Sequence, residues 1–256
     1  MKFGGCLQAG LALLLSSMTA TASDDQPITI TFYDFPPKML VRDGRMSGSR
    51  FHEMNRIADE AGLSVTWVET TLKTEADLLN AGLRKFCATG RAYNSERARL
   101  WTYVPYALDL LPRHVLVASR VSAAKVVQHG TVQAMLSDSN LRGVFVKEFI
   151  YGPNVDPYLD GAKAEVSYRP QQIEQALDMV RMKRADFTLV PIHIWDAFRS
   201  KFDQSLDLIA IDGLGTIEEQ NLYVVCSRSV APEIVNALSG AMRRLGYKPV
   251  TLPPVQ

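Results

Sequence analysis

The sequence predicts an α/β protein in which mostly parallel sheet is flanked by helices. Three observations predict it. From residue 28 onward, short β-type runs alternate with amphipathic runs of helical period. Glycines stand where two of the helical runs should stop, at Gly62 and Gly246. No low-complexity segment, repeat of solenoid period or Gly/Ser linker interrupts the pattern.

The elements follow in order. Ile28 to Tyr33 alternates as a strand does, and Pro36-Pro37 stops it. Asp43-Gly44 marks a turn. Phe51, Met54, Ile57, Ala58 and Ala61 then recur at helical spacing up to Gly62. Leu63 to Glu69 reads as a second strand, Glu75 to about Lys85 as a second helix, and Phe86 to Thr89 as the next strand. Leu110 to Ser119 contains a long β run, and another strand starts at Val144-Phe145-Val146. Gln171 to about Arg184 places Ile173, Ala176, Leu177 and Val180 on one helical face, before a buried strand at Phe187–Val190. Leu222–Cys226 is the last strand. A final helix opens at Pro232 and ends at Gly246.

The chain starts with Lys2, an apolar run from Leu7 to Leu15 and the small residues Ala20-Thr21-Ala22. That pattern predicts a cleavable export signal over residues 1–22, because the apolar run falls short of the roughly 18–20 residues a spanning helix requires. Removing Lys2 takes the formal charge from +1 to zero. A neutral chain without a basic block offers no electrostatic case for nucleic acid. Two cysteines outlast processing, Cys87 and Cys226. In an exported chain an even pair suggests a disulfide, with two separate buried thiols as the alternative. The 234 or so remaining residues suffice for one large domain or for two lobes of about 100 residues each.

Catalytic and metal signatures are missing from the sequence. His52, His114, His129 and His193 show no metal-ligand spacing, and there is neither a nucleophile elbow nor a glycine-rich phosphate loop. Asp24-Asp25 and Glu218-Glu219 read as solvated pairs. The clearest chemical signal is Asn94-Ser95-Glu96-Arg97. Asn94 fits an N-cap, with Glu96 and Arg97 in the first helical turn. Arginine's planar fork matches a carboxylate, and open amides at a helix start favour the same anion. The segment reads as an anion-binding corner; a solvated helix start, or an ion pair of Arg97 with Glu96 or Asp109, is the plain alternative.

With these residues in this order, the chain resembles the periplasmic solute-binding proteins of the polar amino acid type, the substrate-binding components of ABC transporters. The residues that carry the resemblance are Tyr33-Asp34-Phe35-Pro36-Pro37, Gly44-Arg45-Met46-Ser47-Gly48, Asn94-Ser95-Glu96-Arg97, Tyr103-Val104-Pro105-Tyr106 and Ala185-Asp186-Phe187-Thr188-Leu189. It implies a two-lobed periplasmic-binding-protein-like fold that closes over a small ligand. Lobe one would be about 24–110 plus 227–256 and lobe two about 116–220, with hinge strands near 108–119 and 221–227. The two cysteines would then lie on neighbouring strands of lobe one.

The resemblance also implies a monomeric periplasmic protein that takes a small polar, carboxylate-bearing solute to an inner-membrane ABC permease, without enzymatic activity, cofactor or metal. Arg97 would clamp the carboxylate, Tyr33 or Phe35 would stack on the ligand, and Asn94, Tyr151 and Trp195 would face it. Trp101, Tyr103 and Tyr106 would pack the lobe or line the cleft mouth. The chain departs from the family at two points. By residue count Pro191 stands where amino acid-binding members place an aspartate for the α-ammonium. Tyr151-Gly152-Pro153-Asn154 replaces the Gly-Ser/Thr-Thr corner. The alternatives are a dehydratase-like enzyme on the same scaffold, or a sensory or interaction protein with a degenerate site.

Overall fold

The computed structural model describes Met1 and residues 27–202, 206–212 and 219–253. Residues 2–22, where an export signal is expected, and Asp24-Asp25 and Glu218 lie outside the described residues.

The chain opens with β1 (Ile28–Phe32), then a hairpin of β2 (Leu40–Arg42) and β3 (Arg45–Ser47). The hairpin turns on Asp43 and Gly44, at φ 51° and 71°, as a two-residue turn matched to strand twist requires. Helix α1 (Ser49–Ala61) buries Met54, Ile57 and Ala58 and stops at Gly62 in the left-handed conformation. After β4 (Val65–Glu69), α2 (Leu72–Ala81) begins earlier than Glu75, because the Thr71 hydroxyl accepts from the Thr74 N–H at 3.1 Å and caps it. It ends before Lys85, at Gly82. Next come β5 (Phe86–Ala92), α3 (Ser95–Ala98), β6 (Trp101–Tyr103) and β7 (Asp109–Leu111).

The long run expected over Leu110–Ser119 is divided between β7 and β8 (His114–Ser119), since Pro112 has no N–H to donate to a ladder. Then follow α4 (Arg120–Val127), α5 (Val132–Leu136), β9 (Arg142–Val144), α6 (Asp156–Leu159), β10 (Glu165–Ser167), α7 (Ile173–Arg181), β11 (Phe187–Pro191), α8 (Ile192–Arg199) and β12 (Leu208–Ile211). The strand expected to start at Val144 ends there, four residues before Glu148 turns the backbone at φ 65°. Finally β13 (Gln220–Ser227) leads to α9 (Pro232–Arg244).

Two sheets result. One has the order β4-β1-β5-β13-β6, with β7 also on β13, and the other β10-β9-β11-β8-β12. Each is mixed rather than mostly parallel. The pairs β1–β4, β1–β5, β9–β10 and β9–β11 are parallel, as strand–helix–strand units make them. The strands β8 and β13, which follow the passages of the chain between sheets, pair antiparallel. Helices flank both sheets, giving two lobes. Cys87 of β5 lies opposite Cys226 of β13, with Cα atoms 3.9 Å apart, and the two are joined in a disulfide. One apolar cluster bridges the lobes: Phe32, Phe35, Met39 and Leu72 of the first meet Val190, Ile194 and Trp195 of the second.

Candidate ligand-binding site

The site is built on the carboxyl end of β5. Thr89 and Gly90 there oppose the single residue Val224, a bulge that places Gly90 at φ 72°. A Cβ at Gly90 would lie 2.2 Å from Nη1 of Arg50, so any other residue would push that guanidinium aside as well as strain the backbone. Arg91 follows and is buried. Its Nε donates to Glu75 Oε1 at 2.6 Å, and its guanidinium lies 5.6 Å from the Tyr33 ring centre.

Asn94 caps α3 as expected, its Oδ1 accepting from the Glu96 and Arg97 amides at 2.9 and 3.1 Å. The cap fixes Arg97, whose guanidinium sits 4.9 Å from the centre of the Trp101 ring. Arg97 Nη2 donates to the backbone oxygen of Glu148 at 2.9 Å and to Glu148 Oε2 at 3.0 Å. Burial, then neighbouring Arg91, pushes the Arg97 pKa down, with Glu148 opposing; the side chain stays charged, as arginine does in proteins. Asp109 is engaged elsewhere, with Lys38 at 2.6 Å and Arg50 at 3.2 Å. Burial raises the Asp109 pKa, but these two cations outweigh it and hold the carboxyl below the usual range.

Two neighbouring spaces lie between the lobes. A recess of about 20 Å³, bounded by Tyr33, Gly90, Arg97, Glu148 and Phe149, has room for about one water. A cavity of about 580 Å³ shares Tyr33 and Leu72 with that recess, a size suited to a small solute. Asp34 and Glu69 line it from the first lobe, and Gln171, Glu174 and Lys201 from the second. Lys201 is paired with Glu174 at 2.6 Å. Asp34 has one buried carboxylate oxygen without a hydrogen-bond partner. Burial raises its pKa, and Glu69 and Glu174 push the same way against Arg42 and Lys201. Among the described residues no His/Cys/Asp/Glu group is arranged to hold a metal, and no helix is long and apolar enough to cross a membrane.

No protein-family model and no curated protein matches the chain. Solved structures do. An ancestral arginine-binding protein bound to arginine aligns with a TM-score of 0.67 at 13% identity, over 86% of this chain and 91% of its own. The truncated, arginine-bound ArgBP of T. maritima gives 0.64 at 16% identity, over 86% and 95%. An ancestral amino acid-binding protein, a precursor of cyclohexadienyl dehydratase, gives 0.64 at 15% identity, over 86% and 88%. The chain has the periplasmic-binding-protein fold.

Within that fold, the residues singled out from sequence scatter. Tyr33 walls both spaces and Arg97 the recess. Phe35 reaches the larger cavity but is only 2% exposed, edge-on to His193 at 5.3 Å between ring centres. Asn94 serves the helix start and lines neither space. Tyr151 departs from expectation: it is 1% exposed in the core of the second lobe, where its hydroxyl accepts from the Val146 N–H at 2.8 Å. Trp195 likewise joins the apolar cluster on the inner face of α8 instead of the cavity lining. Strand-end and helix-start aromatics were drawn into the core because burying their rings outweighs cleft exposure. Glu148, Asp34, Glu69 and Glu174 were not anticipated. The only sequence signal for Asp34 was its place inside the Tyr33–Pro37 motif.

Proposed function

We propose that the chain is a periplasmic binding protein that captures a small solute bearing both a carboxylate and a basic group, and presents it to an inner-membrane ABC permease. The single observation that carries this reading is the cleft between the lobes, with a guanidinium at one end and carboxylates around its larger cavity. Arg97 is the carboxylate clamp and Tyr33 packs along the solute. Pro191 offers no side-chain acceptor for an ammonium, so the basic group goes instead to Asp34 and Glu69, since Glu174 is already paired with Lys201. The solved structures that bind arginine support the same solute class. The two passages between sheets act as the hinge, with lobe one about 24–110 plus 227–256 and lobe two about 116–220. Solute contacts to both lobes favour the closed form.

Calorimetry of the mature chain against L-arginine, L-lysine, L-glutamate and succinate tests this. Basic amino acids are expected to bind best, and Arg97→Ala to weaken them at least tenfold, about 1.4 kcal/mol. Equal affinity in Arg97→Ala would remove the clamp from the account. One observation favours a second reading, a dehydratase: Asp34 is a cleft carboxyl whose proton affinity is raised, as a general acid requires. Adding prephenate to the panel distinguishes the two, since sustained heat of turnover marks an enzyme and saturable heat a binding protein.

A further inference from the structure

We propose that Glu148 is an internal ligand: its carboxylate fills the clamp of Arg97, ties the two lobes together when no solute is bound, and is displaced by the solute's own carboxylate. The proposal rests on the clamp reading of Arg97 and extends it. Arg97 belongs to the first lobe and Glu148 to the second, so their contact crosses the cleft. Exposed ion pairs contribute little, but these side chains are only 12% and 28% exposed.

The backbone of Glu148 is in the left-handed region at φ 65°, which a glutamate rarely adopts. In that conformation its carbonyl and its carboxylate converge on the same Nη2 of Arg97, at 2.9 and 3.0 Å. Strained residues of this kind cluster at functional switches. The Glu148 carboxylate thus takes the place an incoming carboxylate would seek. The recess left beside Arg97, about 20 Å³, cannot admit another until Glu148 withdraws. Apparent affinity for a solute is reduced by the fraction of molecules in which Glu148 holds the clamp, so the contact favours solutes able to replace it.

Acetate, a small monocarboxylate, is the probe. Glu148→Gly removes the side chain, and glycine adopts φ 65° without strain, so the backbone contact to Arg97 is kept. Acetate is expected to raise the melting temperature of Glu148→Gly by several degrees beyond an equal concentration of chloride. It should leave the wild type and the double variant Arg97→Ala/Glu148→Gly at the chloride value. In small-angle scattering without added solute, Glu148→Gly should be more expanded than the wild type. Glu148→Gln carries the same scattering comparison if the glycine variant is unstable. A variant as compact as the wild type, or an acetate response no greater than chloride's, overturns the proposal. Acetate rescue in a protein that binds none of the amino acid panel would instead keep the internal contact and remove the solute reading.

Discussion

At the scale of single residues, the site depends on keeping two arginines charged in a largely dry place. Arg91 and Glu75 form an ion pair in which both side chains are buried, and the Leu72 carbonyl accepts from Arg91 as well. Removing one member of such a pair leaves an uncompensated buried charge. Glu75→Ala should therefore cost about 3–5 kcal/mol in urea unfolding; a loss below about 1 kcal/mol would mean that water reaches Arg91. The helix start that carries Arg97 was legible in the sequence because helix caps follow short-range rules, and Asn94 obeys them. Glu148 was not legible. Nothing in the spacing of Lys147-Glu148-Phe149 signals a positive φ, and its partner lies 51 positions away. The burial of Tyr151 and Trp195 was not legible for a related reason: sequence shows where an aromatic stands along the chain but not which side of the backbone it covers.

At the scale of elements, the first lobe is organised around the β5–β13 pair. The disulfide between Cys87 and Cys226 closes 139 positions of chain. On a chain-entropy account, removing it destabilises the fold by up to about 5 kcal/mol. Cys87→Ser/Cys226→Ser should lower the melting temperature by many degrees, and reductant should do the same to the wild type but leave the variant unmoved. Helices with a clear stop were read closely: α1 ends on Gly62 and α9 is followed by Gly246 at φ 85°. The start of α2 was misplaced because Thr71, a capping residue, was passed over for the apolar periodicity after it. The mixed character of the sheets was hidden as well. Strand direction depends on where the chain crosses between lobes, and local periodicity does not encode that.

At the scale of the whole molecule, two histidines are held neutral at or beside the lobe interface. His114 has a pKa near 3, lowered by burial and then by His193. His193 has a pKa near 4, lowered by burial, then by Lys38 and Arg50, with Asp109 and Asp196 opposing. Both values lie below the ordinary 6.5, so the unfolded chain takes up protons first as pH falls. Stability is full above pH 6.5 and declines as pH falls, to about 4 for the His193 contribution and to about 3 for that of His114. His114 alone contributes up to about 1.4 kcal/mol per pH unit. Urea titrations at pH 7 and pH 5 should show that loss, and His114→Leu should flatten it; a wild-type curve unchanged over the interval would place these imidazoles in water. The measurement that reaches furthest is a crystal structure of the mature chain grown with the basic amino acid that binds it best. The solute should lie between the lobes beside Tyr33, its carboxylate on Arg97, its basic group toward Asp34, with Glu148 displaced. A solute bound elsewhere, with the Arg97–Glu148 contact intact, would contradict that arrangement.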